Sequence, residues 1–423
     1  MCTAVKLAGT DRLNRYERNN FCWVKMVKVV EISKGIFWVG VEDKHRRIFD
    51  SLITLPYGTS YNSYLVVGKD KTALIDTVNP GFEKEFFKKI GKVVNPEKID
   101  YLIMNHAEPD HAGGISEVLS KARYAKLVAT QKGAEMAGVF HGVPPERTMV
   151  VRDGDTLDLG GKTLKFIEAP WLHWPETMFT YCEEDGVLFS CDFFGSHIAS
   201  NRLFDDEFGD ILHIEAKRYY SEIMMPFNKF VSNGLDKVKE IDVRMVAPSH
   251  GPIYKNPRRI IDAYEKWARG PLEQKVVVVY VSMWGNTEAM AKIITDAILK
   301  EGVEAVSYNA FATDVSYIAR DLVDASAVVV GSPTLLGGVH PVVGLVVSLI
   351  KALRPRLKYA AIFGSYGWGG GAVDRIKTTL QSAGLEIMDV SSVRGKPKKE
   401  DFEKAENLGK LVAQKVKEIV KIS

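Results

Sequence analysis

Beyond residue 275 the chain alternates apolar strands with helical segments so regularly that few folds can accommodate it. Candidate strands at 275–281, 303–308, 326–331, 358–364 and 385–390 interleave with candidate helices at 287–300, 314–321, 341–352, 371–383 and 401–421. Runs such as KVVVVYV have no polar alternation, the pattern of a strand covered on both faces. Five strands with intervening helices in so short a stretch predict a parallel, doubly wound α/β sheet. Gly270 and Pro271 punctuate the chain just before it, which divides the protein into one unit over 27–269 and a second over 275–423.

The first unit reads as α+β. Short strand patterns include VKVVEI, GIFWVGV, 60–68, 72–77, 99–104, 162–169, 178–184, 186–192 and 243–249, with helical patterns near 82–90, 114–121, 131–137, 227–241 and 258–268. They suggest a sandwich of sheets flanked by helices. With 423 residues, 46% of them apolar, the chain can bury two or three cores. Lys plus Arg (56) nearly balance Asp plus Glu (53), so there is no electrostatic case for nucleic acid as a partner. No run reaches the roughly 18 apolar residues of a membrane helix, and the charged start lacks the apolar centre of a signal peptide. Four cysteines (Cys2, Cys22, Cys182, Cys191) without a CxxC pair fit a reducing cytoplasm. Residues 1–25 carry no clear pattern and are expected to be an extension of little structural consequence.

Two constellations carry chemistry. In NHAEPDHAGG, which follows the apolar strand YLIM, His106, Glu108, Asp110 and His111 crowd six positions. Three more metal-capable side chains follow strand patterns: His173 after KFIEAP, Asp192 after GVLFSC and His250 after RMVAPS. If those strands share the sandwich, their ends assemble four imidazoles and three carboxylates, an inventory for two metals. Mixed nitrogen and oxygen donors without cysteine suit iron, manganese or zinc. On the residues alone, a zinc hydrolase and a redox di-iron centre both remain open.

The motif NHAEPDH with His173, Asp192 and His250 in that order resembles the metallo-beta-lactamase-like domain, in the version found in flavodiiron proteins (A-type flavoproteins). GTSYNSYLV, CDFFGSH and YYSEIMMPF extend the resemblance. It implies an αββα sandwich in which His106, Glu108 and His173 hold one iron, Asp110, His111 and His250 hold the other, and Asp192 bridges them. The hydrolytic branch usually has histidine where this chain has Glu108, and the anionic ligand favours redox iron over hydrolytic zinc. His197 reads either as a residue behind the ligands or as ordinary packing.

The second constellation lies at carboxyl ends of strands in the doubly wound sheet, where such folds bind ligands. Ser282, Met283, Trp284, Gly285, Asn286 and Thr287 form a hydroxyl-rich turn before a helix, able to cradle a phosphate with backbone amides. It lacks both GxGxxG and GxxxxGK. Two further turns comprise Ser332, Pro333, Thr334, Leu335, Leu336 and Gly337, and Ser365, Tyr366, Gly367, Trp368, Gly369 and Gly370. Together the three resemble flavodoxin, which implies FMN: the first turn on its phosphate, the other two around the ring.

The combined resemblance implies an oxidoreductase that passes electrons through FMN to a di-iron centre and reduces dioxygen to water, nitric oxide to nitrous oxide, or both. It also implies a head-to-tail homodimer, alone or doubled into a dimer of dimers, and a separate electron donor, either rubredoxin or a reduced deazaflavin coenzyme. The alternatives are a zinc hydrolase with a regulatory flavin domain and a non-catalytic electron-transfer or gas-sensing protein. The apolar stripe Leu408, Leu411, Val412, Val416, Ile419 and Val420 is expected to cover the last sheet and not to lie on a membrane.

Overall fold

The structure, a computed structural model, describes residues 28–422, with side chains to residue 418. The segment 1–25 expected to be an extension, with Cys2 and Cys22, lies outside the described residues.

Two large sheets form the body of the first half, beside two short hairpin-like pairs. One has seven strands in the order Val30–Ser33, Ile36–Trp38, Tyr64–Val67, Thr72–Ile75, Tyr101–Ile103, Lys126–Thr130 and Thr148–Val151. The other has five: Thr156–Asp158, Thr163–Glu168, Met178–Cys182, Val187–Cys191 and Met245–Pro248. Between them pack Ile36, Tyr64, Ile75, Ile103 and Val128 against Leu164, Phe166, Met178, Val187 and Phe189. Helices Glu83–Ile90, Ile115–Lys121 and Gln131–His141 cover one outer face, and Gly209–Tyr219, Asn228–Lys239 and Arg258–Arg269 cover the other. This is the expected αββα sandwich.

Strand direction positions the site. Thr72–Ile75 pairs parallel with Tyr101–Ile103, and Val187–Cys191 pairs parallel with Met245–Pro248. In each pair the carboxyl ends therefore emerge at one edge, delivering His106 beyond the first pair and Asp192 and His250 beyond the second.

Several elements escaped the sequence. Strand Lys126–Thr130 runs straight into helix Gln131–His141, with Thr130 Oγ1 capping that helix by accepting from the Gly133 amide, so no turn residue separates two periodicities. Helix Gly209–Tyr219 buries Glu215 and Arg218, which hides its amphipathic stripe, and continues as a π-helical segment over Tyr220–Met224.

The second half has the expected parallel sheet, in the order Glu304–Asn309, Glu273–Tyr280, Ala325–Leu335, Tyr359–Tyr366, Glu386–Arg394. Val276 to Val279 are fully buried, as an uninterrupted apolar run requires. A short strand, Gly338–Val339, folds back antiparallel on the third of these strands. Helix Lys399–Ile422 buries Leu408, Val412 and Val416 against the sheet and leaves Leu411 half-buried. Ile419 and Val420 lie beyond the described side chains. No helix among the described residues is long and apolar enough to cross a membrane.

Polar contacts join the two halves. Lys217 pairs with Asp324; Thr54, whose carbonyl accepts from Arg218 within the first half, donates to Asp314; and Arg356 donates to the Ala268 and Gly270 carbonyls. Asp324 and Arg356 stand at the amino-terminal edge of the parallel sheet, immediately before the strands beginning at Ala325 and Tyr359.

Candidate metal centre and flavin cleft

The seven candidate ligands converge on one chamber in two groups. His106, Glu108, His173 and Asp192 form one, and Asp110, His111 and His250 form the other. Glu108 Oε2 lies 3.1 Å from His106 Nε2 and 3.2 Å from His173 Nε2. Asp110 Oδ1 is 3.3 Å from His111 Nε2, and Asp110 Oδ2 is 3.2 Å from His250 Nε2. Asp192 faces both groups, with Oδ2 3.2 Å from His173 Nε2 and Oδ1 3.1 Å from His111 Nε2.

These spacings have a simple reading. Two donors each about 2.1 Å from a shared ion stand about 3.0–3.4 Å apart for bond angles between right and tetrahedral. Both Asp110 oxygens, both His111 nitrogens and Asp192 Oδ1 are buried without a hydrogen-bond partner. Orphaned buried polar atoms are costly, and a cation between them removes the cost. Donor chemistry and geometry therefore both fit two metal ions.

Electrostatics agree. Burial lowers the His106 pKa, but hydrogen bonds with Glu108 and Glu176 and the charge of Asp192 outweigh it and raise the value to about 9. His111 is raised to about 9 and His173 to about 10, where burial is likewise overcome by neighbouring carboxylates. Asp192 is held well below the carboxylate range because, against its burial, His111, His173 and His250 surround it. In the metal-free chain these imidazoles hold protons that metal loading must displace.

The surroundings include residues the sequence did not single out. Glu176 Oε1 accepts from His106 Nδ1 at 2.7 Å and from the Ala107 amide at 2.9 Å. A carboxylate three positions after His173 in LHWPE was the available signal. The Ser60 carbonyl accepts from His250 Nδ1 at 2.6 Å, and Thr59 Oγ1 lies 3.3 Å from the same nitrogen. No sequence pattern announces a backbone carbonyl. His197 is buried inside the chamber: Nδ1 meets Thr59 Oγ1 at 2.9 Å, and the ring lies 5.0 Å from that of His250 and 4.9 Å from that of Tyr219. Burial and the charges of His250 and Arg218 push its pKa well down, so it is neutral.

The flavin turns meet at the carboxyl-terminal edge of the parallel sheet. A cleft of about 440 Å³ is lined by Thr334 from the second turn, Ser365, Tyr366, Trp368, Gly369 and Gly370 from the third, and by Gly371, Asp374, Ser392 and Arg394, which the sequence reading did not include. Ser282 to Thr287 do not line it directly, but Thr287 Oγ1 lies 2.9 Å from Ser365 Oγ and ties the first turn to the third. Ser332 is buried, its hydroxyl accepting from the His340 amide. Leu336 and Trp368 are almost fully exposed, and Trp284 largely so.

The first turn fits a phosphate. Gly285 takes φ +82° ahead of helix Asn286–Lys300, whose first amides have no side-chain cap, and Ser282 Oγ is buried without a partner. Tyr366 and Trp368 line the cleft and offer it aromatic surface.

A sandwich edge built for two metals, fused to a doubly wound sheet with a phosphate turn and aromatic cleft, defines a flavin- and metal-dependent redox protein. Residues 59–251 match the ODP family of beta lactamases and residues 278–409 match flavodoxin. The chain is 37% identical to a nitric oxide reductase of Moorella thermoacetica, over 92% of this chain and all of that one. The solved rubredoxin oxygen:oxidoreductase of Desulfovibrio gigas superposes with a TM-score of 0.90 at 30% identity, covering 93% of this chain and all of that one. The flavodiiron protein of Giardia intestinalis superposes with a TM-score of 0.89 at 31% identity, covering 95% of this chain and 99% of that one. The chain belongs to the flavodiiron proteins. It is an oxidoreductase whose cofactors are FMN and a non-haem di-iron centre, with electrons passing from the first to the second.

Proposed function

We propose that His106, Glu108 and His173 hold one iron, Asp110, His111 and His250 hold the other, and Asp192 bridges them. The observation that carries this reading is the posture of Asp192, whose two oxygens face the two ligand groups separately. Ser282 to Thr287 take the FMN phosphate, and Ser332 to Gly337 with Ser365 to Gly370 enclose its ring. The two functional units run over 27–269 and 275–423.

The substrates are small gases: dioxygen, reduced to water by four electrons, and nitric oxide, coupled to nitrous oxide by two per pair of molecules. FMN supplies the exchange of two-electron for one-electron equivalents, and the irons supply stored electrons and open coordination positions. This chain's residues hold that chemistry in place. Glu108, Asp110 and Asp192 offset the metal charge, His106 and His250 are oriented by Glu176 and Ser60, and the rings of Phe49, Tyr61 and Trp174 pack against the ligand imidazoles. Electrons come from a separate donor, a rubredoxin or a reduced deazaflavin coenzyme.

Electron transfer occurs between subunits of a head-to-tail dimer. Asp324, which meets Lys217 of the first unit, and Thr334, which lines the flavin cleft, bracket one strand ten residues apart. At about 3.3 Å per residue they are separated by roughly 30 Å. The cleft thus lies at the edge opposite the Asp324 and Arg356 contacts, and across the sheet from the Thr54–Asp314 contact beyond the outer strand Glu304–Asn309, which supports a partner subunit as the acceptor.

The test is anaerobic purification and reduction followed by exposure to each gas, with metal, flavin and products measured together. One FMN and two irons per chain, with water or nitrous oxide formed, is the expected result. Two zincs with hydrolysis of a thioester or phosphodiester would overturn it.

A further inference from the structure

The side chains proposed as ligands divide into two sets of identical chemistry, each with two imidazoles and one carboxylate, sharing Asp192. What stands behind the imidazoles differs. His106 Nδ1 donates to Glu176, a carboxylate only 3% exposed whose Oε2 has no hydrogen-bond partner. His250 Nδ1 donates to a neutral carbonyl, that of Ser60, with the Thr59 hydroxyl beside it and the His197 ring against its own. One half of the centre has a full negative charge one hydrogen bond behind a ligand, whereas on the other His250 has a peptide dipole there and His111 Nδ1 has no hydrogen-bond partner, the buried Asp76 carboxylate acting on it only through space. A carboxylate on the far nitrogen makes an imidazole a more basic donor and favours the higher metal charge.

We propose that Glu176 makes the two irons unequal: acting through His106, its carboxylate stabilises the ferric state of the iron held by His106, Glu108 and His173, so that this iron is reduced second. The inference rests on the ligand assignment above. With iron bound, the first electron, supplied by FMN in turnover or by dithionite in a titration, would go to the Asp110–His111–His250 side and the second to the side held by His106, Glu108 and His173. Glu176 is thus a positioning residue that sets the order of filling.

Glu176→Gln isolates the charge, because the amide oxygen still accepts from His106 Nδ1 and the Ala107 amide. The experiment is an anaerobic dithionite titration of iron-loaded protein, with the one-electron-reduced centre followed by electron paramagnetic resonance. With two irons retained, the comproportionation constant of E176Q is expected to fall about tenfold, which narrows the one-electron window by about 59 mV. Glu176→Asp, which keeps the charge, restores most of it, and Thr59→Val, which removes a neutral neighbour of His250, leaves it within about twofold. An unchanged window in E176Q with both irons bound overturns the proposal. Loss of one iron from E176Q but not from E176D supports it, whereas equal loss from both variants overturns it by reducing Glu176 to packing. Failure of the underlying assignment looks different: His106→Ala would then keep both irons and the wild-type signal.

Discussion

Asp192 sits at the end of strand Val187–Cys191 with positive φ at Cys191 just before it, and its carboxylate is buried among three imidazoles. Asp192→Asn keeps the size and removes the charge, so iron content is expected to drop below two per chain and gas turnover by at least about tenfold, as changes around metal ligands typically do. FMN content and its reduction by an artificial donor should remain, since the flavin turns lie in another domain; wild-type turnover with two irons bound would defeat the bridging role. Gly251 offers a test of the backbone behind His250. It takes φ +78°, and a Cβ there would lie 2.2 Å from Ser196 Oγ and 2.5 Å from the Ser196 carbonyl. Gly251→Ala is expected to cost about 1–3 kcal/mol in unfolding free energy and to release iron from the Asp110–His111–His250 side; denaturant melts and metal analysis check both.

Among elements, the helix Gly209–Tyr219 and its π-helical continuation hold charges where the two halves meet. Glu215 and Arg218 are buried and paired at 2.7 Å, with Tyr317 over the guanidinium and Asp314 and Arg320 nearby on the facing segment. Burial, opposed by Arg218 and Arg320 and assisted by Asp314, pushes the Glu215 carboxyl up to about 7. Burial, opposed by Arg218 and assisted by Asp314 and Glu215, pushes Glu222 up to about 8. Between the ordinary glutamate value and these, the folded chain holds protons that the unfolded chain has released. Stability from this pair is therefore complete below about pH 4.5 and is lost as pH rises through about 8. Melting temperature of iron-loaded protein should fall between about pH 5 and 8 and level off above that, and Glu222→Gln, which cannot ionise, should flatten part of that fall. An identical slope in the variant would show that Glu222 ionises normally.

Across the whole molecule, the separation between flavin cleft and interdomain contact makes subunit exchange decisive. An Asp192 variant mixed with one whose Ser282 to Thr287 turn cannot retain FMN should recover up to about half of wild-type turnover per heterodimer, because one intact flavin then faces one intact metal centre. Activity of the sorted heterodimer is the measurement, and none despite correct cofactor content would place transfer within a chain. Mixing each variant with itself should give no recovery.

The doubly wound sheet was legible in the sequence because buried parallel strands write long Val and Ala runs, and because each helix between them has its own period. The candidate ligands were legible because metal-capable side chains recur just after strand patterns, so their positions need no knowledge of the sheet partner. Glu176 and the Ser60 carbonyl were not legible: the first resembles any loop acid, and the second carries no side-chain signature at all. Strand Lys126–Thr130, helix Gly209–Tyr219 and the neutral burial of His197 also emerged only in three dimensions, since a capping threonine, inward-facing charges and a lone histidine take their meaning from what packs against them. Local periodicity and residue chemistry are written along the chain. The pairing of His106 with a carboxylate and of His250 with a peptide carbonyl, which distinguishes two chemically identical ligand sets, depends on segments 70 and 190 residues apart being brought within hydrogen-bond reach.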